Sequence, residues 1–504
     1  MKNLSRIASS AFIVIFGYAF AKISSYIFRI IVARSDMELY GSYNLALAII
    51  NLAVLIAMLG LGTGIVRYAS YYSKKRKKQD IIISSALIII LPLSILFFLI
   101  FFFLSELIAG FFNFPKLSVF LKFFAFLIPL FALSQFFSSI LKANMKIKEI
   151  VFSDKIVERG IRVIAVFFFF LLGFKFFGLV ASFIISSILS LFFLFYFSRK
   201  LFSFKLKGFE PEILYFSFPL FLSSFVFQAL LNLDTILLGY FSDVKEVALY
   251  NIALPSAQLM AVLQASLLAI FLPVITGKFA RKKSIEVEYK TITRWLFALT
   301  YFFVLAAFLF GKEILVLMFR SNASAAYFPF VFLSLFYMIY VVSTPSENVL
   351  NMMKKTKLVF FSFFLAFLAN FLLDILLIPY TKSVYGSGIY GASIAKGVAF
   401  LLVAFLNIIF AYKNTKIKIL DTRFLKIILS GIISLIVVYI LKFFFYSNNI
   451  TYMLVFIVVF ACLYSALLFV LGVIGKPERE ALNYIGSLLK NTKREENGRT
   501  EALD

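Results

Sequence analysis

Of the 504 residues, 62% are hydrophobic and only 15% charged, with a mean hydropathy of +1.00; a soluble domain carries about 25% charged residues, so the composition is that of a polytopic membrane protein. The chain has no His and a single Cys, Cys462, set in an apolar run and read as a packing residue, so His-based triads, a disulfide framework, a metal site and a Cys nucleophile are not expected, and no cofactor is. A net charge of +26 would suggest nucleic acid in a soluble protein, but here it belongs to the loops, and no nucleic-acid partner is expected.

Lys2 and Arg6 precede an apolar stretch from Ile7 past Ile31, too long for a signal-peptide core, so it is predicted to remain as the first span. Windows of about 20 apolar residues then predict an all-α chain of about fourteen transmembrane helices. They lie near 8–33, 39–66, 81–104, 118–141, 159–173, 178–198, 213–240, 247–274, 294–310, 327–350, 357–378, 388–412, 424–445 and 450–474, the fifth and ninth being short. With the amino terminus inside, the inside segments collect 37 of the 50 Lys and Arg and the outside segments eight. Dropping one span would invert every later loop and destroy that asymmetry, so both termini are expected in the cytoplasm of a cell-membrane protein.

An internal repeat organises these spans. Tyr43-Asn44 recurs 207 residues later as Tyr250-Asn251, and the same shift lays Ser35-Asp36 on Ser242-Asp243 and Ala46-Leu47 on Ala253-Leu254. Six spans separate the copies, an even number, so the halves run parallel, as in transporters built from repeats about an axis along the membrane normal. The expected division is an N-lobe at 1–200, a basic cytoplasmic linker at 201–212 ending in Pro211, a C-lobe at 213–412, two further helices at 413–475 and a charged tail at 476–504. In the tail, Leu482, Ile485, Leu488 and Leu489 form the stripe of an interfacial helix.

Motif order points to a known family. Arg29, then Tyr40-Gly41-Ser42-Tyr43-Asn44 and Leu59-Gly60-Leu61-Gly62, resembles the start of polysaccharide-biosynthesis flippases of the Wzx type. Phe218-Pro219-Leu220, Asp234 to Gly239 and Tyr250-Asn251 to Pro273 resemble that family's second-lobe opening, and Asn370 to Pro379 with Gly388 to Ala395 is similar to a later stretch. Asp374 and Lys396 depart from the pattern, which more often has Asn and Thr there. The resemblance covers most of the chain and implies the multidrug/oligosaccharidyl-lipid/polysaccharide exporter superfamily, whose two six-helix lobes form a V-shaped cleft.

Intramembrane charge carries the candidate chemistry, since an ionised side chain at a helix centre costs at least about 2.5–3.5 kcal/mol. Lys22 and Arg29, seven residues apart with Ser25 between, share one face of the first helix and suit a polyanionic headgroup. Structural pairing of Lys22 and snorkelling of Arg29 is the competing reading. Asp234 offers an ion-pair partner for Lys22 or Arg29, a proton or sodium site, or a gate; Asp374 and Lys396 lie at similar depth and most simply neutralise each other. Asn44, Asn51, Gln228, Asn232, Asn251, Gln258 and Gln264 are expected to line the cleft with amides, although interhelical hydrogen bonds explain each equally well. The expected function is a flippase for a polyprenyl-(di)phosphate-linked oligosaccharide, working by alternating access, with membrane lipids as partners and H+ or Na+ as candidate coupling ions. The alternatives are an ion-coupled multidrug exporter and, further off, a membrane glycan polymerase or ligase, for which no acid, base and metal constellation is visible.

Overall fold

The computed structural model describes residues 2–203, 208–419, 421–445 and 450–473, so the stripe expected at Leu482, Ile485, Leu488 and Leu489 and the rest of the 476–504 tail lie outside the described residues, as does part of the 201–212 linker. Within them the chain is helical throughout. We number the helical runs α1 (Lys2–Ser35), α2 (Met37–Tyr71), α3 (Arg76–Phe103), α4 (Lys116–Ala143), α5 (147–171), α6 (Lys175–Ser198) and α7 (Glu212–Phe241). There follow α8 (244–280), α9 (Glu286–Phe319), α10 (Ser321–Met352), α11 (Thr356–Tyr385), α12 (Ile389–Thr415), α13 (Thr422–Phe445) and α14 (Ile450–Val470). Thirteen are long and apolar enough to cross a membrane.

The exception is α5, where only the apolar half had been predicted, at 159–173. Its helix begins at Ile147, passes through a π-helical segment Val151–Val157 and continues as Glu158–Leu171. The seven charged residues between Lys148 and Arg162 hid the continuation from a hydropathy window. The short ninth prediction, 294–310, is likewise the apolar centre of the 34-residue Glu286–Phe319. Cys462 corrects the packing expectation: its side chain is exposed on α14.

Local chemistry places the helix ends, and the repeat survives at atomic detail. Asp36 caps α2 by accepting from the Leu39 amide at 3.0 Å, and Asp243 accepts from the Glu246 amide at 2.9 Å, 207 positions on. One turn further, the Asn44 side chain donates to the Tyr40 carbonyl at 2.7 Å and that of Asn251 to the Val247 carbonyl at 3.0 Å. Pro211 stands immediately before Glu212 at the start of α7.

Residues up to Ser256, with Leu315–Leu333 and Phe360–Ala399, form one compact unit; Ala257–Ile314, Ser334–Val359 and the described residues from Phe400 onward form a second. In the first, α2 breaks at Leu59 and Gly60, both in the left-handed region (φ 44° and 73°). The α7 backbone fits against that break so closely that a Cβ on Gly60 would lie 2.5 Å from the Ser217 carbonyl oxygen. α6 meets α5 at buried Ser186 and Ser190, small residues whose hydroxyls reach Arg162 and Asp154. In the second unit, α13 and α14 pack on α9 through Leu309, Phe310, Val438, Phe456 and Phe460. Gly431 meets the Tyr301 ring, and Lys442 pairs with Glu313 at 2.7 Å.

Candidate functional site

A cavity of about 680 Å³ opens within the first unit, walled by α2, α4, α5 and α6. Its lining holds Lys142, Lys155, Arg159 and Arg162 against only two carboxylates, Asp154 and Glu158, with Asn51, Thr63, Ser134 and Gln135 as uncharged polar groups. The π segment of α5 carries Asp154 and Lys155 into this lining, the kind of place where such bulges are found. Asp154 accepts from the Ser138 hydroxyl at 3.0 Å and from Ser190 at 3.4 Å. Glu158 is bound by Arg162, whose Nε donates to Ser186 Oγ at 3.2 Å and whose guanidinium lies 4.2 Å over the Phe183 ring.

Arg162 is therefore committed to the protein, while Arg159 reaches the same Glu158 only at 4.0 Å and Lys155 has no ion-pair partner within 4 Å among the described residues. Lys155 Nζ sits 5.2 Å over the Tyr18 ring of α1, and Gly17 lets α1 approach so closely that a Cβ there would lie 2.1 Å from Val151 Cγ1. One turn on from Tyr18 stands Lys22, exposed on the stretch of α1 that packs on the π segment of α5. Lys22 thus lies on the helix against the cationic segment of α5, outside the residues that line the cavity.

Arg29 has a different setting. Its Nη1 donates to the Tyr40 hydroxyl at 3.1 Å and the Asn251 carbonyl at 3.3 Å, and Tyr40 donates to the same carbonyl at 2.8 Å. Asn251 Nδ2 in turn donates to Thr235 Oγ1 at 3.2 Å. Ser25 is half-buried on α1.

Asp234 meets neither Lys22 nor Arg29 as ion-pair partner. It is 2.6 Å from Lys396 Nζ, and Lys396 also donates to Asn370 Oδ1 at 2.9 Å and to the Leu230 carbonyl. Asn370 Nδ2 donates both to Asp234 Oδ1 at 2.8 Å and to Asp374 Oδ2 at 2.6 Å. The expected direct neutralisation of Asp374 by Lys396 is corrected accordingly: the ammonium takes Asp234, one helix further round, and Asp374 is tied in through Asn370. All four side chains are 0–1% exposed.

The expected amide lining is dispersed. Asn51 lines the cavity, Asn44 is buried against its own helix, Asn232 donates to the Gln228 carbonyl at 2.8 Å, and Asn251 belongs to the Arg29 network. Gln228 is half-buried on α7; Gln258 and Gln264 are half-buried in the second unit.

Residues 7–279 match the family described as Polysaccharide biosynthesis protein, more than half of the chain, and residues 219–376 match MatE. The chain belongs to the polysaccharide biosynthesis protein family. It is a multi-pass transporter of the multidrug/oligosaccharidyl-lipid/polysaccharide exporter superfamily and not an enzyme. No curated protein matches the sequence. Among solved structures, this family member is similar to the lipid II flippase MurJ in an inward closed conformation, with a TM-score of 0.75 and 17% identity over 91% of this chain and 98% of that one. It is also similar to an inward-facing multidrug resistance MATE family transporter, with a TM-score of 0.64 and 13% identity over 79% and 94%. A superfamily transporter from Pyrococcus furiosus matches with a TM-score of 0.58 and 15% identity over 81% and 94%.

Lys142, Asp154, Lys155, Glu158, Arg159 and Arg162 were absent from the expected site because 142–162 read as an inside loop. The spacing held a signal: Lys155 and Arg159, and Glu158 and Arg162, are four apart, the separation of neighbours on one helix face.

Proposed function

We propose that the protein is a flippase that moves a polyprenyl-(di)phosphate-linked oligosaccharide from the cytoplasmic to the outer leaflet of the cell membrane by alternating access. The lipid tail stays in the bilayer while the headgroup passes. The observation that carries this reading is the cationic excess of the α5-walled cavity: phosphate oxygens suit Arg as a fork and Lys as a point charge, and the polar wall offers partners for sugar hydroxyls. An inside-negative potential favours the outward step, by about 2.3 kcal/mol per unit negative charge per 100 mV. The lobes are taken as 1–200 and 213–412 with both termini cytoplasmic, and the Asp234, Asp374 and Lys396 cluster as the coupling or gating element.

The similarity of the MurJ structure, named for lipid II flipping, supports the same reading. Multidrug export is the second reading, favoured by the MatE match over 219–376; a cationic cavity is unsuited to a cationic drug. Reconstitution with labelled polyprenyl-diphosphate oligosaccharide tests the choice by leaflet transfer, with and without a membrane potential. Replacing both Lys155 and Arg159 with Ala removes charge-assisted contacts of about 1.5–3 kcal/mol each and should lower transfer at least about tenfold. Transfer at the wild-type rate by that variant would remove the headgroup from this cavity.

A further inference from the structure

We propose that Asp234 and Asp374 hold one exchangeable proton between them, and that Lys396 is the resident cation of the same cluster, so that the site takes and releases protons and admits no free sodium ion. This names the ion for the coupling element of the flippase reading and rests on that reading only for its role in transport.

Counting partners leads to the proton. The ammonium of Lys396 donates to the Leu230 carbonyl and Asn370 Oδ1, and its Nζ lies 2.6 Å from Asp234 Oδ2 as an ion pair. The Asn370 amide has two N–H groups and gives one to each carboxyl, at Asp234 Oδ1 and Asp374 Oδ2. That leaves two completely buried oxygens, Asp374 Oδ1 and Asp234 Oδ2, without a hydrogen-bond partner among the described residues, the second facing Lys396 as an ion pair only. The Tyr250 hydroxyl, also fully buried, stands beside both carboxyls and has no well-formed hydrogen bond.

With both carboxyls ionised the cluster would carry one uncompensated negative charge in a setting that water does not reach. Two carboxylates sharing such a site do not both ionise easily. One proton on Asp374 Oδ1 brings the cluster to neutrality and turns that oxygen into a donor, for which Asp234 Oδ2, likewise without a hydrogen bond, is the acceptor the pair has free. The groups that face the pair from each packed helix are consistent with a single proton: Asp234 on α7, Tyr250 on α8, Asp374 with the neutral Asn370 on α11, and Lys396 on α12. Arg29 and Tyr40 both donate to the carbonyl of Asn251, next to Tyr250, in a network of their own.

The seat of the ammonium explains the exclusion of sodium. A carbonyl, an amide and a carboxylate oxygen are ligands that a hard cation would use, and here all three are occupied by a covalently tethered one.

Infrared difference spectroscopy of the full-length protein in lipid reads the proton without any substrate. The wild type should show the carbonyl stretch of a protonated carboxylic acid at neutral pH, with the band lost on strong alkalinisation. Asp374→Asn and Asp234→Asn, each isosteric with a protonated carboxyl, should lose it while melting cooperatively. A second measurement compares melting in sodium and potassium salts: no difference is expected for the wild type, and a sodium-dependent rise for Lys396→Thr, in which the seat is vacated. A band that persists in both Asn variants, or a sodium-dependent rise in the wild type, overturns the proposal. Failure of leaflet transfer alone would count against the flippase reading and leave the proton assignment standing.

Discussion

Arg29 shows how far a single charge can be read from its neighbours in sequence. Its spacing from Lys22 suggested a shared ligand, but its guanidinium ties α1 to Tyr40 of α2 and to the α8 backbone at Asn251. Arg29→Gln should therefore lower the melting temperature, by a loss on the order of 1.5–3 kcal/mol for hydrogen bonds to a charged group. Combining it with Asp234→Asn should give losses that add within about 0.5 kcal/mol, because the two have separate partners. Asp234→Asn with Lys396→Met should instead depart from additivity, since the two side chains share one buried cluster and each change alters the charge the other must balance; chemical denaturation of the single and double variants measures both couplings. A gain on combining Arg29→Gln with Asp234→Asn would mean that they pair after all. Lys22, Asp234, Asp374 and Lys396 were legible because an isolated charge inside an apolar run is conspicuous. Which of them meet was not legible, since Lys396 reaches Asp234 across 162 positions and depends on how α7, α11 and α12 pack.

At the scale of elements, hydropathy located the apolar centre of every run, and it failed where function requires polarity inside a helix. α5 is the clearest instance, with the charges that made it look like a loop lining the cavity. The break in α2 is a second element that hydropathy cannot see, although Leu59-Gly60 hints at it: a Gly at positive φ stops a helix that apolar periodicity would continue. Gly60→Ala should cost at least about 1–3 kcal/mol, because the left-handed backbone is strained for Ala and the new Cβ meets the α7 backbone. Thermal melting in detergent should show the loss, and an unchanged melting temperature would mean that α7 does not press on the break.

Over the whole molecule, the 207-residue repeat reaches into the chemistry. Tyr43 packs against Phe183, the ring beneath Arg162 of the cavity, and Tyr250 stands beside Asp234 and Asp374. Under the same shift, position 162 falls beside Asn370 and Ser186 falls on Ser393, so corresponding helices of the two halves build the two polar clusters from different residues. Polyanion binding in one copy and proton exchange in the other would be a division of labour between duplicated sites. The orientation is testable directly. After Cys462 is replaced, single cysteines at Ser73, Ser284, Thr356 and Thr415 should be shielded from an impermeant thiol reagent in intact cells, while those at Ser242, Ser324 and Ser383 should label. Any one of them on the wrong side would break the fourteen-span topology.

The partner of Trp295 has a practical consequence. It is the sole tryptophan in the chain, and its indole packs edge-on against Phe271 of α8, with ring centroids 5.6 Å apart. All tryptophan emission from the protein therefore originates at one contact between α8 and α9. A rearrangement that slides these helices past each other would change that emission in the unlabelled wild-type protein, giving stopped-flow access to the transport cycle with no engineered probe.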